Sequence, residues 1–443
     1  MPNMDAKGFF EGKKITIMRI GLLGRGVGDA AYMAEQGAQI LVVDDASQEV
    51  MQPSVDALRE FDNITFKFGP YELSDFTNCD LVLKGAGTPM NSPEIAAAHE
   101  HSVPVRMSAD LFAEISGVTC VGITGTRGKS TVTHMIHAIL EQAGIPTLLG
   151  GNVRGVSTLA LLENVQPEDV AVLELDSWQC QGWGEAKMSP HVAVFTTFFP
   201  DHMNYYKDDL DAYLEDKANI FLSQEPQDTL VLGAQCAELI EEKYSERMLG
   251  HVITAGAHDL RADWTLLLPG EHNRYDAALA VEACRALNID DEDIQKALES
   301  FKGVPGRLEL VRERNGVKIY NDTTATTPDA TLAALRALDP NEERSIILIM
   351  GGADKNLEMG ELIKELPKHA KRVIMLSGTG TNRISTRVPD VSIFDSLAGA
   401  VEEAARFASE GDSILLSPAF ASFGMFKNEY DRGDQFTALV QKL

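Results

Sequence analysis

The sequence predicts an α/β protein of three domains: a Rossmann-like N-terminal domain, a central P-loop NTPase-like parallel sheet and a C-terminal Rossmann-like α/β domain. Three observations carry this. Short apolar runs alternate with stretches of helical period along the chain, the pattern of parallel sheets covered by helices. A glycine-rich turn, residues 21–28, follows the first strand-like run. A second glycine turn, residues 122–131, stands between a buried strand and a helix. The 443 residues suit roughly two to four domains. Breaks in the pattern divide them into 1–115, 116–305 and 306–443.

In the first block, residues 14–22 read as a strand, and a helix then runs to Gln36. Gly37 ends that helix, and residues 38–44 form a strand closing on Asp44. Strand, glycine turn, helix and a strand ending in an acid make the first unit of a nucleotide-binding sheet. Further strands are expected at 81–84 and 103–106. In the second block, strand 119–124 leads into a helix with apolar positions Val132, Met135, Ile136, Ile139 and Leu140. Runs 171–175 and 192–197 read as buried parallel strands, and 275–287 and 291–301 as helices. The turn 303–306 closes the block. The third block alternates strands at 317–320, 345–350, 372–376 and 413–416 with helices at 329–337 and 396–408.

Composition narrows the function. At 44% hydrophobic and 24% charged residues the chain reads as a soluble globular protein. No apolar run approaches the ~20 residues of a membrane span, and the N-terminal stretch carries no secretion pattern, so a cytoplasmic location is expected. Five scattered cysteines without C-x-x-C spacing fit a reducing compartment and argue against a zinc site. A net charge of −27 would repel nucleic acid. Any phosphate must therefore be held in a local pocket of amides and a few cations.

The turn 122–131, GITGTRGKST, supplies such a pocket. Gly125 and Gly128 permit a tight turn in which N–H groups, including those of Thr126 and Arg127, converge on an oxyanion. Lys129 can reach β- and γ-phosphates, and Ser130 or Thr131 can place a hydroxyl on Mg²⁺. The first block's turn is less specific: it serves a nucleotide or is a plain Rossmann-like turn, and Asp44 faces a ribose or caps a turn. Glu174 ends a buried strand, where carboxylates face the ligand crevice, and is a candidate Mg²⁺ ligand. On pattern alone His202 is a surface or core histidine and Lys217 a solvated charge on a helix. Three polar loops follow strands of the third block, at 321–328, 351–355 and 417–423, and suggest one functional face.

Taken in order, these segments resemble the Mur ligase family. The resemblance runs through G-x-T-G-T-x-G-K-S-T, Gly150-Gly-Asn152, Glu174-Leu-x-Ser-x-Gln, Asp201-His202-Met, Lys217, His272-Asn273, Arg307, Asn321-Asp322, Gly351-Gly-x-x-Lys355, Leu416-Ser-Pro-Ala-x-Ala-Ser and Phe426-Lys-Asn. In the D-glutamate-adding branch a carbamylated lysine stands fifteen residues after the histidine of Asp-His-Met; Lys217 stands fifteen after His202. The resemblance implies an ATP-dependent, amide-forming ligase that adds glutamate to UDP-N-acetylmuramoyl-L-alanine through an acyl phosphate. It implies a monomer without nucleic-acid or membrane partners.

The resemblance also distributes roles. Lys129, Glu174, His202 and Lys217 would be catalytic, with two Mg²⁺ ions held among Ser130, Glu174, His202 and carbamylated Lys217. Arg25, Gly26, Asp44, Asp45, Gly87 and Thr88 would hold the UDP end, and Asn152 the muramoyl part. Asn273, Arg307 and Asp322 would hold adenine, ribose and γ-phosphate. Thr326, Lys355, Ser417 and Phe426 would face the amino acid. Because the ATP contacts are split between the second and third blocks, the third is expected to swing on binding.

Three positions depart from the family pattern: Arg127 replaces asparagine, Gly306 a histidine and Thr324 a lysine near the amino-acid site. Competing readings are a ligase for L-glutamate or another amino acid, a folylpolyglutamate-type ligase, and a nucleotide-binding protein without catalysis. The ~110 residues ahead of the phosphate loop speak against the second, and Glu174, His202 and Lys217 together against the third.

Overall fold

The computed structural model describes residues 6–22 and 24–443; residues 1–5 and Leu23, which fall in the predicted first domain and its glycine turn, lie outside the described residues. The chain forms three α/β sheets. The first comprises β1 (Lys14–Met18), β2 (Gln39–Asp44), β3 (Ile64–Phe68), β4 (Leu81–Lys84) and β5 (Val105–Arg106), all parallel, in the order β3-β2-β1-β4-β5. The chain doubles back across β1, so a crevice opens at the carboxyl ends of β1, β2 and β4, where ligands of open parallel sheets bind. Strand β1 is shorter than residues 14–22 predict, because Arg19 takes a left-handed φ of 64° that no extended strand tolerates.

The second sheet comprises β6 (Thr119–Thr124), β7 (Thr147–Gly151), β8 (Val170–Glu174), β9 (Val192–Phe195), β10 (Thr229–Gly233) and β11 (His251–Ala255). It is again parallel, ordered β11-β10-β9-β6-β8-β7. The phosphate loop leaves β6, so the ends of β8 and β9 flank it on either side. The helix Lys129–Gln142 buries Val132, Met135, Ile136, Ile139 and Leu140, the stripe its period predicts. Strand β9 stops before residues 196 and 197, whose polar groups turn to the phosphate loop instead of a ladder.

The third sheet holds β12 (Glu309–Arg314), β13 (Val317–Asn321), β14 (Ile346–Gly351), β15 (Ala370–Leu376), β16 (Ser392–Phe394) and β17 (Ser413–Leu416), ordered β12-β13-β17-β14-β15-β16. Only β12 runs antiparallel to its neighbour. Strand β14 is buried along its length: Ile346, Leu348 and Met350 enter one core, Ile347 and Ile349 the other. A strand covered on both faces reads as a continuous apolar run for this reason. Strands β13, β17 and β14, adjacent in that order and parallel, bring the three polar loops to one rim.

Two compact units result: Met1–Thr265 with Arg274–Glu299, carrying the first two sheets, and Leu266–Asn273 with Ser300–Leu443, carrying the third. The first two sheets share a core through residues such as Phe112, Leu159 and Trp183. Among the described residues no helix is long and apolar enough to cross a membrane.

Candidate active site

The centre of the first unit is the phosphate loop. Gly125 has φ 136° and Gly128 φ 86°, and a Cβ on either would overlap Thr196 Oγ1 or the Asp276 carboxylate respectively. Both positions therefore require glycine for conformation and for space. The residues after β9 pin the loop: Thr126 N donates to Thr197 O at 2.7 Å, Arg127 N to Thr197 Oγ1 at 2.9 Å, and Thr196 Oγ1 donates to Arg127 O at 2.5 Å. Lys129 folds over the turn, its Nζ donating to Gly125 O at 3.1 Å and Thr126 O at 3.2 Å. Ser130 is buried in the first turn of the helix, whose positive end faces the loop. Thr131 follows it in the same turn. Arg127 is exposed, 3.7 Å from Asp201.

Lys217 is the largest correction to the pattern-based reading. It is not a solvated charge but 1% exposed. The helix Leu210–Ala218, capped by the Asp209 side chain, delivers it beneath the loop. Its Nζ donates to Gly125 O at 2.8 Å and reaches Thr124 Oγ1 at 3.4 Å. Two lysines thus converge on one carbonyl. Burial, and next the Lys129 cation, pull the Lys217 ammonium down to about 7. A fully buried amine that sheds its proton near neutrality is a chemical group, not a stabilising charge.

His202 sits in a ring ladder, 4.6 Å from the Trp178 ring and 6.4 Å from Tyr213, and Lys217 Nζ lies 4.9 Å over Tyr213. Burial lowers the imidazole below its ordinary range, against the pull of Asp201 and Asp176, so the ring is neutral at pH 7. Glu174 ends β8, buried, and Asn152 Nδ2 donates to its Oε1 at 3.2 Å. Asn152 also accepts from Arg25, joining the first sheet's helix to the carboxylate.

A cleft of about 630 Å³ opens at the carboxyl ends of the first sheet and extends to Gly151 and Asp176 of the second. Arg25, Gly26, Asp44 and Asp45 line it. Asp44 Oδ1 accepts Ala46 N at 3.0 Å, the turn-capping contact. Asp45 pairs with Arg19 at 2.6 Å. Gly87 and Thr88 follow β4; Thr88 is buried, and its carbonyl receives Lys84 Nζ at 3.0 Å and the Tyr205 hydroxyl at 3.2 Å. Lys84 itself, overlooked in the sequence, lines the cleft, and burial draws its ammonium down to about 8. Its only signal was a cation closing an apolar strand.

In the second unit the polar loops interlock. Asp322 accepts Ser417 Oγ at 2.8 Å and Leu308 N at 3.0 Å, and burial pushes its carboxyl up to about 7. Ser417 is fully buried and bonded also to Thr331. Lys355 Nζ donates to Thr326 Oγ1 at 2.9 Å. Phe426 lies 6.0 Å from the Arg432 guanidinium, which clamps Thr323 through its side chain and carbonyl. Asn273 donates to Pro269 O at 2.6 Å, and Arg307 is exposed. Two departures from the family pattern touch each other: Thr324 donates to Gly306 O through N at 3.1 Å and Oγ1 at 3.0 Å. A Cβ at Gly306 would come within 2.9 Å of Thr323.

Residues 123–275 match the Mur ligase middle domain, and residues 306–420 the Mur ligase glutamate ligase domain. Proteins named UDP-N-acetylmuramoylalanine--D-glutamate ligase from Roseiflexus sp. (strain RS-1) and Desulfatibacillum aliphaticivorans are each 33% identical. The alignments cover 97% and 99% of this chain and 98% and 100% of theirs. The chain belongs to the Mur ligase family. Among solved Mur ligase structures, the UDP-N-acetylmuramate-alanine ligase of Thermotoga maritima superimposes with a TM-score of 0.60 at 19% identity, covering 97% of this chain and 99% of its own. The MurF ligase of Thermotoga maritima, solved with ADP, gives 0.59 at 17%, covering 99% and 96%. At these identities the two structures speak for the fold alone.

Proposed function

We propose that this Mur ligase adds D-glutamate to UDP-N-acetylmuramoyl-L-alanine at the expense of ATP. The observation that carries the reading is Lys217: a buried amine drawn down to about 7, bonded to the same carbonyl as the phosphate-loop lysine. The relatives' names supply the substrates, and the cleft of about 630 Å³ has the size and mixed charge for a nucleotide-sugar end. Each sheet would form one domain, 1–115 and 306–443 Rossmann-like and 116–305 P-loop NTPase-like, and the protein would act as a monomer.

A neutral amine adds to CO₂, forming N–C and releasing one proton, and so becomes a carbamate anion. With that change the donor set of Ser130 hydroxyl, Glu174 carboxylate, His202 imidazole and Lys217 carbamate fits Mg²⁺, whereas an ammonium at 217 would not. The ions would supply neutralisation of phosphate charge. Lys129 and the N-terminal end of the helix Lys129–Gln142 hold the γ-phosphoryl group, while the Thr126 and Arg127 N–H groups are committed to Thr197; the alanyl carboxylate attacks phosphorus, releasing ADP and leaving an acyl phosphate. The carboxylate gains a good leaving group by this step. The glutamate amine then attacks the acyl carbon, loses a proton, and phosphate departs. Asn273, Arg307 and Asp322 are assigned to the nucleotide by resemblance, and Thr326, Lys355, Ser417 and Phe426 to the amino acid.

The Thr324–Gly306 contact favours one second reading, a different amino acid, because the lysine expected at 324 is replaced by a hydroxyl committed to a backbone carbonyl. Phosphate release with ATP, Mg²⁺ and UDP-N-acetylmuramoyl-L-alanine, with amino acids added singly, decides. Release with D-glutamate alone, and a product one glutamyl residue heavier, supports the proposal; release with another amino acid only would transfer it to the second reading.

A further inference from the structure

The second unit carries a group of side chains that the ligase reaction does not use. It lies at the amino ends of β14 and β15, the rim opposite the loops of Asp322 and Lys355. His369 ends the helix Gly360–His369 just before β15, Glu365 precedes it by one helical turn, and Glu342 stands in the loop ahead of β14. One ring nitrogen of His369 and one carboxylate oxygen of each glutamate lie within 4.8 Å of one another.

The imidazole is held as metal-ligating imidazoles are held. His369 Nδ1 faces Asp339 O at 3.1 Å and Asp339 Oδ2 at 3.2 Å. Asp339 is itself fixed by the N–H groups of Glu343 and Arg344 and by the Ser345 hydroxyl. A proton on Nδ1 satisfies those acceptors and leaves the lone pair on Nε2. That atom is buried and has no hydrogen-bond partner, in a side chain only 3% exposed. A buried ring nitrogen without a partner is costly unless a ligand completes it. A carboxylate behind the ring fixes its tautomer and raises its basicity toward a cation.

We propose that Glu342, Glu365 and His369 form a binding site for a divalent transition ion of the zinc class, with Asp339 as its positioning residue. One imidazole and two carboxylates suit Zn²⁺ or Co²⁺, while Mg²⁺ prefers oxygen alone. A cation already marks the place: Lys368 Nζ lies 3.0 Å from Glu365 and 3.7 Å from Glu342. Its side chain is 42% exposed and can leave to solvent. Lys368 is thus a competitor of the ion, and this gives the test its sign.

The full-length protein is titrated with Zn²⁺, and with Co²⁺ for its optical bands, in excess Mg²⁺. One equivalent should bind that is weakened at least about tenfold in E342Q and H369Q, and about tenfold or more in D339N. K368A should bind it several-fold more tightly. Any ion at Glu174, His202 and Lys217 is common to all these proteins and cancels in the comparison. Glu342 and Lys368 are surface side chains, so their variants remain informative if the buried variants do not fold. Unchanged binding in E342Q together with unchanged or weaker binding in K368A overturns the site.

Discussion

The first unit contains two strand–glycine turn–helix segments, and different chemistry surrounds them. In the turn at 122–131 Gly125 and Gly128 make room for Thr196 Oγ1 and the Asp276 carboxylate, and Lys129 and Lys217 converge on Gly125 O. In the turn at 21–28 Gly26 makes room for Ile20 O of the same turn, and a Cβ on Gly28 would come within 2.6 Å of Ser157 Cβ; no lysine folds over a loop carbonyl among the described residues there. Beside it Asp29 receives Ser157 Oγ at 2.6 Å and Leu159 N at 3.1 Å, tying the first sheet's helix to the second sheet. The same motif thus builds a loop covered by two lysines in one place and a docking joint beside an open cleft in the other. What separates them is the chemistry behind the turn, not the spacing of glycines.

The largest effect is expected at Lys129. K129A should lower turnover by about 10²–10³-fold or more, the cost of removing a preorganised donor to a transferring group; phosphate release under saturating substrates measures it. R25A, on the cleft side, should act mainly on KM for the UDP substrate, by about tenfold, with kcat moved less. Equal losses of kcat in both variants would erase the distinction.

Acidity probes the second lysine. The Lys217 ammonium falls to about 7 in the folded protein from the ordinary 10.5. Only the neutral amine takes up CO₂, so turnover should fall about tenfold between about pH 8 and about pH 6. The stability sign follows from the same shift. Between these two values the unfolded chain binds more protons, so stability rises with pH across the window. The charged amine is a burden in full below about 7, and K217M should therefore melt higher than the wild type there, by a margin that shrinks toward pH 10.5. A pH-independent difference in melting temperature would mean that the buried amine does not titrate in this window.

The smallest effect is expected at the joint. G28A should cost about 1–3 kcal/mol by overpacking against Ser157, seen as a lowered denaturation midpoint with kcat retained. A loss of turnover without a loss of stability would make the first turn a catalytic element after all.

The sequence showed the long apolar runs and their punctuation well. Strand β6, its glycine loop and the stripe on the following helix were all legible, because a buried strand and a 3.6-residue period leave strong signals. Strands β3, β7, β10, β11, β12 and β16 were not anticipated; they are no shorter as a group than those that were, but β7 and β10 end in glycine, β11 opens on histidine and β12 carries four charged residues, which breaks the apolar run. The burial of Lys217 left no local trace, since a lysine amid Leu-Glu-Asp-Lys-Ala looks solvated, and only the family spacing singled it out. Lys84 and the Thr324–Gly306 contact were invisible for a related reason: each depends on what a distant segment places opposite.

Whether Lys217 works as a carbamate is read from ¹³C NMR of the protein in ¹³C-bicarbonate. A carbamate resonance should be present in the active enzyme, absent from K217M and reduced as pH falls below about 7. An active enzyme without that resonance, or a resonance that persists in K217M, would rule the carbamate out.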